Sequence, residues 1–202
     1  MSHHQQRLSE HGVSLLELLT ALFIVGLIVM TSFPAWMSMR RRSAVRLAAS
    51  ELRGIFQQTR SRALARANHC GVKFVQIGAE WHFALYDDGD RDGVRNDDII
   101  SGKDPRVAAP RIVMREAARA ARIELPNETI VDPDGDKLPP SKSPVQFNKS
   151  TICSFSPIGE STPGSIYLND GNGTTYVVRV YGATGRIRVL RYDPLRRKWE
   201  SR

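Results

Sequence analysis

The N-terminal part of the chain carries one long run of apolar residues that contains a single charge. Residues 13–33 are apolar almost throughout, and Glu17 is their only acidic or basic member. At about 1.5 Å per helical residue the run extends roughly 32 Å, which matches the hydrocarbon core of a bilayer. The favourable insertion free energy of the Leu, Ile, Phe and Val side chains exceeds the cost of inserting one carboxylate near the end of the helix. The pattern predicts a transmembrane helix over residues 13–34.

Helical periodicity continues after Pro34. Over residues 35–67 apolar side chains recur every three or four positions, while arginines occupy the other positions. This segment is predicted to continue the helix as an amphipathic element, with a kink at Pro34 because proline has no backbone N–H. Its apolar stripe has to pack against the rest of the chain.

From residue 68 to the C-terminus the sequence is typical of short strands separated by Gly- and Asp-rich turns. A short helix over Met114–Arg122 is also compatible with the composition. Together with the long helix, this pattern predicts an α+β protein in which the helix packs on antiparallel sheet. The predicted strands are Cys70–Ile77, Trp81–Tyr86, Ile130–Val131, Pro144–Phe147, Ile152–Ser156, Ser165–Leu168, Thr174–Tyr181 and Arg186–Tyr192.

The positive charge of the chain is concentrated in two blocks. The 202 residues include 29 Lys and Arg against 21 Asp and Glu, a formal net charge of +8. The excess lies in residues 40–66 and 176–202, and the segment between them is slightly acidic. Such blocks are solvated surfaces of a helix and a tail, or they form a surface for a polyanion such as nucleic acid or anionic lipid.

No arrangement of residues typical of catalysis is present in the sequence. His69 and His82 lack the neighbours at metal-ligand spacing that a zinc site needs, and neither a nucleophile motif nor a phosphate-binding loop is found. We therefore expect a non-enzymatic protein without a cofactor.

One acidic turn is a candidate calcium-binding loop. Asp88, Asp90 and Asp92 alternate before Gly93, as oxygen ligands do in calcium-binding loops. The twelfth position is Ile99 rather than a bidentate Glu, so an EF-hand is excluded. A hairpin turn with solvated carboxylates is the alternative interpretation.

The first 34 residues resemble the class III signal of type IV pilins and type II secretion pseudopilins. The shared features are a polar leader ending in Gly12, then Val13, then Glu17 five residues after the Gly, and finally Pro34 within the apolar helix. The resemblance implies that prepilin peptidase removes residues 1–12 and that Val13 becomes the methylated N-terminal residue. Prepilin peptidase and the bacterial inner membrane are therefore expected partners.

The resemblance also implies a role for Glu17 in assembly. After cleavage, the amine of Val13 in one subunit can pair with the Glu17 carboxylate of its neighbour, and a low dielectric strengthens that attraction. The alternative is that Glu17 reaches the headgroups one turn from the start of the helix.

Later segments resemble the GspH/FimT group of minor pseudopilins. The similar segments are Trp81–Asp90, Phe155–Gly159 and Gly185–Val189, and residues 103–146 fit the group least well. The resemblance implies a pilin-like fold, with the membrane-spanning helix continuing onto an antiparallel sheet in a globular domain over residues 68–202.

The two cysteines, Cys70 and Cys153, are candidates for a disulfide. An exported domain lies in an oxidising compartment, and both cysteines fall in predicted strands that could be neighbours in the sheet. Two separately buried thiols are the alternative.

Gly185–Arg188 resembles the Gly-Arg-x-Arg motif through which FimT-type minor pilins bind DNA. Alternate positions on a strand place Arg186 and Arg188 on one face, while Ile187 and Val189 are expected to point to the core. The residues expected to extend the same basic surface are Arg179, Arg191, Arg196, Arg197 and Lys198. Alternating arginines on an edge hairpin that prevents aggregation are the other interpretation.

The sequence is thus interpreted as a minor pilin or pseudopilin, a subunit at the tip or in assembly initiation of a type IV pilus or type II secretion pseudopilus. Its expected location is the inner membrane, with a cytoplasmic N-terminus and a periplasmic globular domain, and its expected partners are other pilin or pseudopilin subunits. The alternative is a DNA-binding minor pilin that acts in DNA uptake.

Overall fold

Helix α1 (Leu15–Arg66) has 52 residues and forms the N-terminal part of the structure. The computed structural model describes residues 14–113 and 121–201, except for the side chains of residues 34, 35 and 38. The chain divides into two compact units, Met1–Met39 and Arg40–Arg202. Gly12, Val13 and almost all of the predicted helix Met114–Arg122 lie outside the described residues.

The two parts of α1 differ in which side chains they bury. Leu15–Phe33 is long and apolar enough to cross a membrane, and none of it is buried within the protein. Beyond Arg40 a stripe of buried residues follows helical spacing and includes Val45, Ala48, Leu52 and Phe56. This stripe is the apolar face that the periodicity predicts.

The C-terminus of α1 is closed by hydrogen bonds of the Schellman type. Ala67 has a φ of 50°, in the left-handed region. The N–H groups of Ala67 and Asn68 donate to the carbonyl oxygens of Leu64 and Ala63, at 3.3 and 3.2 Å. These bonds satisfy carbonyls that would otherwise have no partner at the end of the helix.

Eleven strands are present in the described residues. A four-stranded sheet has the order β3-β2-β1-β7, a five-stranded sheet has the order β11-β10-β9-β8-β6, and β4 pairs with β5. All of these pairs are antiparallel. The strands are β1 (Cys70–Ile77), β2 (Glu80–Asp87), β3 (Arg111–Ile112), β4 (Ile130–Val131), β5 (Lys137–Leu138), β6 (Val145–Phe147), β7 (Ile152–Phe155), β8 (Gly164–Asn169), β9 (Thr175–Tyr181), β10 (Arg186–Asp193) and β11 (Lys198–Ser201).

Three phenylalanines join the helix to both larger sheets. The ring of Phe56 on α1 lies 5.8 Å from Phe74 on β1 and 5.7 Å from Phe147 on β6, both in edge-on geometry. Phe74 and Phe147 stack at 6.3 Å. All three side chains are fully buried, so α1 and the two sheets share one hydrophobic core.

The other face of the five-stranded sheet carries a second, smaller core. Tyr167, Leu190 and Tyr192 pack there against Ile130 and Leu138 of the β4–β5 hairpin. The indole Nε1 of Trp199 on β11 donates to the Val131 carbonyl oxygen at 2.7 Å. The hairpin therefore covers the part of the sheet that faces away from α1.

The prediction of an α+β protein with antiparallel sheets is confirmed. The structure also contains four elements that were not predicted: a short helix, α2 (Asn96–Ser101), and the strands β3, β5 and β11. β3 and β5 have two residues each, too few to show alternation, and α2 consists mostly of polar residues.

Candidate functional site

The apolar segment Leu15–Phe33 is the first candidate site. Its large side chains are half or more exposed, as in a surface that another apolar phase covers. Glu17 lies in the first turn of α1, within this exposed surface. The backbone of α1 continues through Pro34, so the helix that was predicted to extend beyond the proline is present.

The arginines of the Gly-Arg-x-Arg motif lie on the outer face of the five-stranded sheet. Arg186 is opposite Tyr181, and Arg188 is opposite Arg179. Because these positions share one side of the pleat, all four side chains lie on the same face. Arg186 is exposed and Arg188 is half-buried. We call Arg179, Tyr181, Arg186 and Arg188 the basic face.

The aromatic ring of Tyr181 organises the basic face. The guanidinium carbons of Arg179 and Arg188 lie 5.6 and 5.9 Å from the centre of this ring, within the range of cation–π attraction. Tyr181 was not predicted as a site residue. Its signal was available in the sequence, since it lies two positions after Arg179 in a predicted strand.

The prediction that Arg191 extends the basic face is wrong. Arg191 lies three positions from Arg188 on β10, and an odd separation places a side chain on the opposite face of a strand. Arg191 shares its face with Ile187 and Val189, which pack into the main core as the alternation predicts. On β11 its cross-strand neighbour is Glu200.

Gly185 of the motif has a structural function. It has a φ of 56° and ends the 3-10 turn Gly182–Thr184. A Cβ at this position would run into the carbonyl oxygen of Gly159. Arg60 of α1 lies beside this contact, and its Nη2 donates to the Thr184 carbonyl oxygen at 3.2 Å. Phe155–Gly159 and Gly185–Val189, two of the segments that resemble the GspH/FimT group, are therefore in contact at this point.

The acidic turn is built around the buried carboxylate of Asp88. Its Oδ1 accepts from the N–H groups of Asp90 and Arg91, at 3.1 and 2.7 Å, and its Oδ2 accepts from Gly93 at 2.8 Å. The imidazole Nδ1 of His69 lies 3.3 Å from Oδ2. These bonds make Asp88 a structural part of the loop.

The predicted calcium ligands do not gather as one set. Carboxylate oxygens of Asp88, Asp90 and Asp104 lie within 4.8 Å of one another, and those of Asp90, Asp92 and Asp98 form a second group. The ammonium of Lys103 lies 3.4 Å from Asp98 and 3.5 Å from Asp90. The hydrogen bond with Asp98 raises the pKa of Lys103, so this cation supplies positive charge to the second group. Calcium binding stays a prediction.

The predicted disulfide between Cys70 and Cys153 is absent, and both thiols are free and buried. Cys70 is opposite Phe155, whereas Cys153 is opposite Val72, so the two cysteines are diagonal neighbours on adjacent strands. Diagonal pairs are separated by about 7 to 8 Å, more than a disulfide spans. The Cys153 thiol instead donates to the Thr162 carbonyl oxygen at 3.7 Å.

The Cys70 thiol belongs to a charged cluster at the end of α1. It donates to Oδ1 of Asp87 at 3.3 Å. Arg62 donates to both oxygens of the same carboxylate at 2.7 Å, and Arg66 donates to Oδ2 at 3.0 Å. The hydrogen bond from Arg62 lowers the pKa of Asp87. The pKa of Cys70 is raised to about 12, mainly because the thiol is buried and in addition because it donates a hydrogen bond to the Asp87 carboxylate. Cys70 is therefore a poor nucleophile.

Comparison with known proteins gave no relative from which a function can be transferred. No family model, curated protein or solved structure matches the chain.

Proposed function

We propose that this chain is a minor pilin or pseudopilin, a non-enzymatic subunit that is anchored in the inner membrane and joins a type IV pilus or type II secretion pseudopilus. The observation that carries the proposal is the exposed apolar segment Leu15–Phe33, with Glu17 in its first turn, at the start of a helix whose last part belongs to a globular α+β unit. The resemblance of the leader to the class III signal supports it.

Glu17 is the residue that separates an assembly subunit from a simple membrane anchor. A carboxylate weakens insertion, so a plain anchor gains nothing from it. In a filament the carboxylate meets the N-terminal amine of a neighbouring subunit, and the pair neutralises both charges in an apolar environment. We therefore assign Glu17 to subunit recognition.

The first prediction tests processing and assembly together. Intact-mass measurement of the full-length protein, purified from membranes of a host with prepilin peptidase, should show the loss of residues 1–12 and one added methyl group. Glu17→Ala should remain in the membrane fraction and be lost from isolated filaments. Thr20→Ala, one turn further on, is the matched control and should assemble normally.

An uncleaved N-terminus in that host would contradict the proposed processing. Equal filament content of the Glu17→Ala and Thr20→Ala proteins would leave Glu17 without a role in assembly and favour the headgroup interpretation.

A second candidate function, DNA binding for uptake, is favoured by the basic face. Among the described residues no carboxylate lies within 4.0 Å of the Arg186 or Arg188 guanidinium, and both lie on one face. Guanidinium groups without acidic partners are suited to bind phosphate.

The second prediction tests this candidate with a matched charge control. The full-length protein in a zwitterionic detergent should bind duplex DNA, with an affinity that falls steeply as salt rises. Arg186→Gln with Arg188→Gln should reduce the salt slope by about 1.8, at about 0.9 per phosphate contact. Arg191→Gln with Arg196→Gln removes the same charge and should leave the slope nearly unchanged, because Arg191 lies on the opposite face of β10 and Arg196 is paired with Asp193 and Glu200. No binding at low salt, or equal effects of the two double variants, would remove this candidate.

A further inference from the structure

The centre of the basic face is covered by an acidic turn of the same chain. The β4–β5 hairpin turns through residues 132–136, which include three aspartates. One of them, Asp134, forms an ion pair with Nη2 of Arg179. Arg179 is the arginine that faces Arg188 across the strands, so the ion pair lies within the basic face.

The burial of the two partners shows which of them is held and which is accessible. The Arg179 side chain is 13% exposed, and its Nη1 also donates to the Ser165 hydroxyl at 3.2 Å. The Asp134 side chain is 56% exposed. Arg179 is thus fixed on the sheet, and the carboxylate over it is open to exchange with solvent and ions.

The turn itself does not need the ion pair for its conformation. Oδ1 of Asp132 accepts from the N–H groups of Asp134 and Asp136, at 2.8 and 3.0 Å. These bonds use the backbone of Asp134 and leave its carboxylate free to contact Arg179. Exchange of that carboxylate for another anion therefore keeps the hairpin turn intact.

We propose that Arg179 is a third phosphate-binding residue of the basic face, and that Asp134 occupies it until an anionic partner displaces the carboxylate. The inference rests on the DNA-binding candidate and adds its regulation. Arg179 and Arg188 lie on the same aromatic ring, so a phosphate chain that contacts Arg188 reaches Arg179 on the neighbouring strand. Asp134 lowers the affinity of the face for DNA because its carboxylate competes with phosphate for the same guanidinium.

The test compares two variants of the same turn. Asp134→Asn and Asp136→Asn each remove one negative charge from exposed positions, but only the first releases Arg179. In salt titrations of the full-length protein with duplex DNA, Asp134→Asn should raise affinity at least threefold above Asp136→Asn and steepen the salt slope by about 0.9. Adding Arg179→Gln to Asp134→Asn should abolish that gain, while the melting temperature of each variant reports whether it folds.

The outcomes separate the role of Asp134 and Arg179 from DNA binding itself. Equal affinities and slopes of the two aspartate variants overturn the inference, whether or not the wild-type protein binds DNA. A gain that survives Arg179→Gln overturns it as well. If the wild-type protein binds and loses slope with the Arg186 and Arg188 changes, DNA binding stands even when Asp134→Asn has no effect.

Discussion

The Arg62–Asp87 ion pair is expected to stabilise the globular unit more than a surface pair does. Two hydrogen bonds of 2.7 Å join the groups, and the side chains are 26% and 17% exposed. Hydrogen bonds to charged groups contribute about 1.5–3 kcal/mol, and partial exposure reduces this contribution. We expect a coupling free energy of about 2 kcal/mol for the pair as a whole, compared with about 0.5 kcal/mol for an exposed pair.

A double-mutant cycle measures this coupling, because the contributions of the other contacts of Asp87 to the free energy of unfolding cancel in it. The variants are Arg62→Gln, Asp87→Asn and the two combined, in the full-length protein, with urea unfolding followed by tryptophan fluorescence. Trp81 on β2, the strand that carries Asp87, is almost fully buried and reports on this region. The control cycle uses Arg95 and Asp92, which form a 2.6 Å pair with both side chains exposed.

The pH dependence of the coupling has a definite sign. Arg62 lowers the pKa of Asp87 in the folded protein, so the stabilisation is complete above the unfolded pKa of about 3.9. It is lost as the pH falls through the lower, folded value. A coupling free energy for Arg62 and Asp87 no larger than that of the control pair at neutral pH would refute the reasoning, and so would a loss of coupling well above pH 4.

Two further predictions concern Gly185 and the cysteines. Gly185→Ala should lower stability by about 1–3 kcal/mol more than Gly171→Ala, because both positions have positive φ but only Gly185 lies against a backbone carbonyl; equal melting temperatures would contradict the close approach. Cys70 and Cys153 should resist thiol reagents in the native protein and both react after denaturation without reductant, because both are buried and free; fewer than two labelled cysteines would show a bridge.

The elements with a regular repeat were predictable, because their pattern is local. Short apolar runs between Gly- and Asp-rich turns located β1, β9 and β10, and a spacing of three and four residues located the buried stripe of α1. Alternation also placed Arg186 and Arg188 on one face. Because Arg191 lies three positions after Arg188, the same alternation would have placed its side chain on the opposite face of the strand.

Contacts between distant segments were beyond sequence reasoning. Asp87 meets Arg62 because β2 returns beside the end of α1, and Asp134 reaches Arg179 because a hairpin folds across the sheet. Neither contact can be inferred from the spacing of residues along the sequence. The disulfide prediction was wrong for a related reason, because it required the register between β1 and β7, and a shift of two positions separates the sulfurs.

The joint core of Phe56, Phe74 and Phe147 also constrains the order in which the protein can fold. Phe56 belongs to the first third of the chain, whereas Phe147 belongs to the last third. The buried stripe of α1 therefore has no complete surface to pack on until residue 147 has been synthesised. Contacts over such separations slow folding, because a long loop must close before they form. Part of the apolar face of α1 thus lacks its packing partner in every shorter nascent chain, and this exposed part is a surface that a chaperone or the membrane could bind.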